Sequence, residues 1–181
     1  AEFYHFGTTA QMIESVSELQ NLVLDETKLG GAGGLRHPDQ YLQNCRFQPP
    51  LRRQQNHTLW VENSAVGPDW KLANEHVFTG VPENDWDLRL ESGVCLDVVP
   101  VGESDFAVRA YGFRDTFSGG FGRETTRWLG KPVAAWFTAR GLDAAECGMT
   151  VDMDVQLAPM FPVLKPAELN PRFVEWLFAA Q

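Results

Sequence analysis

The chain has 181 residues, 44% of them hydrophobic, and its 24 acidic against 15 basic residues give a net charge of -9. This length predicts one main core, burying roughly 70% of the unfolded chain's surface. The negative charge would repel a phosphate backbone, which argues against nucleic acid as a partner. No apolar run approaches the roughly 20 residues that cross a bilayer, so no membrane partner is expected.

The cysteines and histidines show no metal-binding pattern. Cys45, Cys95 and Cys147 are odd in number and far apart, which favours reduced thiols in a cytoplasmic protein. The four histidines have no HxxxH or His-Cys spacing. We therefore expect neither a metal nor another cofactor in this chain.

The N-terminal part predicts one helix and a long loop. The chain begins with Ala1 and enters at once an aromatic run, as a segment cut from a longer polypeptide would. Thr8 and Gln11 form a capping box, and helical spacing of apolar residues extends the helix from about Thr9 to Leu24. Glycines at 30–34 and later prolines predict a loop. We assign residues 1–57 to a linking helix and Gly/Pro-rich loop, and 58–181 to a second domain.

The second domain reads as short strands separated by turn residues. Trp60, Val66, Leu72 and Phe78 stand six residues apart, which places all four on one face of a strand. Hexads are typical of the parallel β-helix, although four apolar residues at a fixed spacing also arise by accident in such a composition. We predict a mainly β fold, a short irregular parallel β-helix that we take to be left-handed, with these four side chains in its interior.

Helices are expected at both ends of this domain. Pro132 suits a first helical position and begins a short helix that continues to Arg140. Asn170 and Pro171 begin an apolar terminal helix. Because a β-helix leaves open ends, the helix near Thr9 is expected to cover one of them.

Two clusters combine turn residues, aromatic rings and polar groups, and a third group is a pair of carboxylates. The clusters hold Asn84, Asp85 and Trp86, and then Arg109, Tyr111 and Asp115. Aromatic faces stack on sugars while amides, carboxylates and guanidinium groups bind hydroxyls or phosphate, so a sugar or sugar-phosphate site is one interpretation. The other is an Asx turn with Trp86 in the core, and Arg109 paired with Asp115 across a loop.

The carboxylate pair lies in the alternating segment 151–155. A strand there would place Asp152 and Asp154 on one face, as a metal site or as a solvated surface.

Several segments, in order, resemble fucose-1-phosphate guanylyltransferases, including the bifunctional form that carries an L-fucokinase domain. The resemblance begins at Glu2–Thr9 (EFYHFGTT) and continues through VENSAVG, TGVPENDW, VCLDVVPV, RAYGFRD and QLAPMFPV. It implies a central β-helix segment of an enzyme that makes GDP-L-fucose from GTP and fucose-1-phosphate with a divalent metal. It also adds His5 to the sugar-site candidates.

The departures from that family place the chemistry elsewhere. No glycine-rich loop followed by a basic residue precedes the first helix, and the kinase phosphate loop is missing. We therefore expect a non-catalytic segment, inactive alone, that serves as architecture, joins flanking nucleotidyltransferase and kinase domains, or contacts other subunits of a homo-oligomer. A free-standing carbohydrate-binding module is the alternative, motivated by six tryptophans. A metal-dependent hydrolase using Asp152 and Asp154 is the third.

Overall fold

The computed structural model describes residues 7–22 and 37–178, and most of its elements are short strands. In chain order they are α1 (Thr9–Leu22), β1 (Gln40–Gln43), β2 (Arg46–Phe47), β3 (Leu59–Glu62), β4 (Ala65–Val66), β5 (Lys71–Leu72), β6 (His76–Thr79), β7 (Arg89–Leu90), β8 (Val94–Val101), β9 (Asp105–Gly112), β10 (Arg127–Trp128), β11 (Lys131–Pro132), α2 (Val133–Ala139), β12 (Val163–Leu164) and α3 (Pro171–Phe178). No helix in this part of the chain has both the length and the apolar character needed to cross a membrane.

The strands from β1 to β8 wind into a β-solenoid of about three turns. Strands β1, β3, β6 and β8 stack in parallel and form most of a six-stranded sheet, which β9 and β12 complete. Two further parallel pairs, β2 with β4 and β5 with β7, form the other walls. The predicted parallel β-helix with helices at both ends is confirmed, whereas its left-handed sense stays a prediction. The first coil begins at Gln40, so the sheet crosses the boundary that the sequence placed after residue 57.

Residues with positive φ turn the corners at each end of the sheet strands. Asn44, Asn63 and Gly80 follow β1, β3 and β6, with φ of 44, 48 and 65°. Asparagine tolerates this left-handed conformation because its short side chain bonds locally. The Asn44 amide donates to Asn63 Oδ1 at 2.6 Å, which links one coil to the next.

The solenoid ends at the coil that follows Gly80, because the next sheet strand, β8, makes no corner at the equivalent position. Strand β8 runs straight on to Val101 and forms a hairpin with β9, so its backbone passes over the corner below. A Cβ atom at Gly80 would lie 2.2 Å from the carbonyl oxygen of Val98. Glycine is therefore the residue that this corner accepts.

Three of the four hexad residues face the interior. Val66 and Phe78 are buried, and Leu72 packs against the same core. Trp60 was assigned wrongly, because its neighbours Leu59 and Val61 point inward while Trp60 lies on the outer face of the sheet. The corner at Asn63 changes the alternation between strands, so a strict period of six fails there.

The helix α1 packs on the outer face of the sheet. Ile13 forms a cluster with Tyr41, Val77 and Cys95, which come from the sheet strands β1, β6 and β8. The expectation that this helix caps an open end is therefore wrong. Its apolar stripe matches the flat row of side chains that stacked strands present.

The C-terminal part covers the inner face of the β8–β9 hairpin. Trp128 and Trp136 join the main core beside Val98, Val108 and Ala110, and the Trp128 indole donates to the Ala110 carbonyl. The predicted helices are present as α2 and α3. The predicted strand at 151–155 is absent, because Asp154 accepts the backbone N–H groups of Gly119 and Gln156 and so holds a turn.

Candidate functional site

A cavity of about 880 Å³ opens on the outer face of the six-stranded sheet. The start of α1 forms one side, and the loop 113–117 with Phe161 forms another. Outward side chains of β3, β6, β8 and β9 form the floor. The cavity exists because α1 covers only part of this face.

A polar row crosses the floor of the cavity. The strand register aligns Glu62 with Thr79, Thr79 with Asp97, and Asp97 with Arg109. Thr79 Oγ1 donates to Asp97 Oδ1 at 2.8 Å, and Arg109 Nη1 lies 4.0 Å from Asp97 Oδ2. Stacking of the coils thus brings together four polar side chains from four separate strands.

The Asp97 carboxylate is the electrostatic centre of this row. Its side chain is only 13% exposed, and burial raises its pKa, while hydrogen bonds from Thr79 and Tyr111 and the charge of Arg109 lower it. Burial likewise raises the pKa of the Tyr111 phenol, and the Asp97 charge adds to this. The cavity therefore presents a partly desolvated carboxyl group beside a phenol whose ionisation is disfavoured.

The Arg109 side chain stands at the edge of the cavity, with 49% of it exposed. Its guanidinium lies 5.6 Å from the centroid of the Phe161 ring. Arg109 pairs with Asp97 and not with Asp115, so the alternative interpretation of a pair across the loop is wrong. The exposed half of the guanidinium leaves donors that point toward solvent.

The Asp115 carboxylate organises the loop beside the cavity. It accepts backbone N–H groups from Gly112 at 2.7 Å, Leu129 at 2.6 Å and Gly130 at 3.1 Å. Two distant segments are therefore held by one side chain. Asp115 lines the cavity, but both of its oxygens are already used.

The cluster around Asn84 lies away from the cavity. The Asn84 side chain accepts from Trp70 Nε1 at 3.0 Å and donates to the carbonyls of Ala65 and Pro82. Its Oδ1 also accepts the Trp86 N–H, which is an Asx turn. Trp86 is 3% exposed and stacks on Trp70, whereas Asp85 is exposed.

The structure therefore joins only some of the sequence-predicted residues. Arg109, Tyr111 and Asp115 share one cavity, and Asn84 to Trp86 stand apart from it. His5 lies outside the described residues. Sequence reasoning missed Thr79 and Asp97, although an aspartate inside the apolar run VCLDVVPV was a usable signal, since a buried strand accepts a charge only with partners.

The arrangement can recognise a polar ligand through hydrogen bonds. A carboxylate, a hydroxyl, a phenol and a guanidinium converge, with aromatic rings at the border. Within residues 7–22 and 37–178, no three His, Cys, Asp or Glu side chains are grouped to hold a metal ion.

Fold and cavity together define a β-solenoid segment with an open polar cavity on one sheet face. The chain is 38% identical over 178 residues to an L-fucokinase/L-fucose-1-P guanylyltransferase of Bacteroides fragilis. The match covers 98% of this chain and 18% of that protein's length. The resemblance that the sequence motifs indicated is confirmed. No protein-family profile and no solved structure matches the chain.

Proposed function

We propose that this chain is the β-solenoid segment of a cytoplasmic enzyme that makes GDP-L-fucose from GTP and fucose-1-phosphate. The observation that carries the proposal is the 38% identity over nearly the whole chain to a protein of that name. The order of the matching motifs agrees with it, since the segment EFYHFGTT leads into the first helix and the solenoid follows.

The segment serves as architecture and joins the domains on either side of it. Its interior is a continuous apolar core running from Leu59 in the solenoid to Leu177 in the last helix. A rigid body of this kind fixes the distance between whatever is attached to its ends. The divalent metal that the family implies is placed by this proposal in another part of the complete enzyme. In residues 7–22 and 37–178, no three His, Cys, Asp or Glu side chains are grouped to hold one.

The outer cavity is the part of this segment that would meet substrate. Arg109 offers donors for a phosphate or hydroxyl, and Asp97 offers a carboxylate for hydroxyls. The cavity is open on one side, so it would form one wall of a pocket that a neighbouring domain completes. Asn84, Asp85 and Trp86 do not line this cavity, and His5 lies outside the described residues. A role for these four residues in sugar binding stays a prediction.

A free-standing carbohydrate-binding module remains the alternative. Such a module needs exposed aromatic rings to stack on sugars. Trp176 in α3 is the most exposed of the six tryptophans, at 39%, and its ring packs against Trp136 and Phe173. This arrangement gives the module less support than the sequence match gives the enzyme segment.

Two measurements test the proposal. The 181-residue chain alone is expected to form no GDP-fucose from GTP and fucose-1-phosphate, and turnover would refute the placement of the catalytic centres. In the complete polypeptide, Arg109→Met is expected to raise the KM for fucose-1-phosphate several-fold with little change for GTP. Arg89→Met is the matched control, because its side chain is 80% exposed on another wall. Equal effects of the two variants would contradict the role of the cavity.

A further inference from the structure

Part of the outer sheet face carries apolar side chains that stay substantially exposed in the described structure. Val99, Val101 and Val163 are 38, 41 and 54% exposed, and Ala107 lies between their strands. We refer to these four residues as the bare sheet face. The helix α1 covers another part of this face, where Tyr41, Val77 and Cys95 are buried.

The strand register makes the bare sheet face one surface. Ala107 pairs with Val99 on one side and with Val163 on the other. These three side chains therefore point to the same face of three adjacent strands, in one row. The row therefore forms one contiguous aliphatic surface, in contrast to exposed apolar residues that stand singly.

The bare sheet face is continuous with the cavity. Asp97 and Arg109 are paired two residues before Val99 and two residues after Ala107. Alternate residues of a strand share a face and lie about 6.8 Å apart, so the polar row and the aliphatic row are neighbours. A body seated on the valines would therefore lie directly beside the cavity.

The two ends of the described chain lie on opposite sides of the sheet. Gly7 and Thr8 line the cavity, on the outer face. The last helix, α3, packs through Val174 and Leu177 into the main core, on the inner side, where Arg140 donates to its terminal carbonyls of Trp176 and Leu177. The described chain therefore begins at the cavity that borders the bare sheet face, and it ends in the core on the other side of the sheet.

We propose that the bare sheet face is the docking surface for the domain that precedes this segment in the longer polypeptide. The proposal rests on the proposed function, which places this chain within a longer protein. In the matched relative, the matching segment is 18% of the length. The surface of that domain is expected to be apolar where it meets Val99 and Val163, and polar where it meets Arg109. It is the same body that completes the cavity.

A photo-crosslinking amino acid in place of Val163, within the complete polypeptide, tests the partner. Mass spectrometry is expected to find crosslinks to peptides upstream of Ala1. The matched control carries the same amino acid in place of Leu157, which is 81% exposed in the C-terminal turns. That position is expected to give few crosslinks. Crosslinks from position 163 to sequence beyond Gln181, to a second copy, or to nothing would overturn the proposal.

A second measurement separates docking from folding. Val163→Asp is expected to leave the melting temperature of the 181-residue chain unchanged and to lower the first unfolding transition of the complete polypeptide by several degrees. Leu157→Asp is expected to change neither. An equal shift in both proteins would overturn the docking role. A gene that does not continue upstream of Ala1 would instead refute the proposed function itself.

Discussion

The corner at Gly80 gives a matched pair of substitutions. Gly80 and Gly102 both have positive φ of nearly the same size, 65 and 64°. A Cβ atom at Gly102 meets nothing within 4 Å, whereas at Gly80 it would lie 2.2 Å from the Val98 carbonyl oxygen. Gly80→Ala and Gly102→Ala therefore share the cost of a left-handed alanine and differ in this contact.

The expected magnitudes follow from these two contributions. A left-handed alanine costs about 1 to 2 kcal/mol, and the less flexible unfolded chain returns about 0.4 to 1 kcal/mol. Gly102→Ala should thus lower the free energy of unfolding by about 1 kcal/mol. At Gly80, β8 must also move away from β6, which weakens the pairing of Phe78 with Leu96 and of Thr79 with Asp97. Lost hydrogen bonds and packing there bring the total to about 3 to 4 kcal/mol.

Urea unfolding followed by tryptophan fluorescence measures both variants. The difference between them, about 2 to 3 kcal/mol, is the cost of the contact with Val98, since backbone strain is common to both. Equal stabilities, or a larger loss for Gly102→Ala, would refute the conclusion that β8 closes the solenoid over this corner.

Three further predictions use the same unfolding assay. His76 is buried, so its pKa lies below the ordinary value of 6.5. Because the unfolded chain binds the proton more readily, stability should fall as the pH drops below about 6.5, and His76→Leu should flatten this dependence; an unchanged slope would contradict it. Burial raises the pKa of Asp97 above 3.8, so its ionisation costs stability at neutral pH. Asp97→Asn should stabilise the chain at pH 7, with a gain that shrinks in acid, and a variant less stable than the native chain at pH 7 would argue against this. Asp115→Ala removes the acceptor for three backbone N–H groups and should cost about 2 to 4 kcal/mol. The exposed Asp85→Ala should change stability by less than about 0.5 kcal/mol, and similar losses for both would contradict the role given to Asp115.

Local sequence signals predicted the elements whose causes are local. The N-cap bond of the predicted capping box is present, with the Gln11 N–H donating to Thr8 Oγ1 at 3.2 Å, while the Gln11 side chain accepts from the Thr8 hydroxyl. Asn170 accepts the Phe173 N–H at the start of α3. In both cases the residues that define the helix start are within three positions of each other, so the sequence contains the whole interaction.

The strand predicted at 151–155 is absent because of an interaction between residues that are distant in the sequence. Its alternation is real, but Asp154 bonds to Gly119, far away in the sequence. A side chain that satisfies a distant backbone group overrides a weak local preference for a strand.

The hexad was a partial guide. Val66 and Phe78 are interior as the period requires, while Trp60 is outside. Periodicity counts residues along the chain, and it cannot show that the corner at Asn63 shifts the alternation by one. The resemblance of the sequence motifs to fucose-1-phosphate guanylyltransferases added the β-helix as an expectation that spacing alone supported only weakly.

By itself the sequence determined that this is a mainly β chain with a helix at its start and helices near its end, and it carried the motifs of one enzyme family. Only the tertiary structure decided where polar groups meet. Thr79, Asp97 and Arg109 come from three strands, and they share a cavity because stacked coils align residues that are separated along the chain. The choice of face for α1 and the exposure of Val99 and Val163 were likewise decided by packing, since both depend on which surfaces the other coils had already covered.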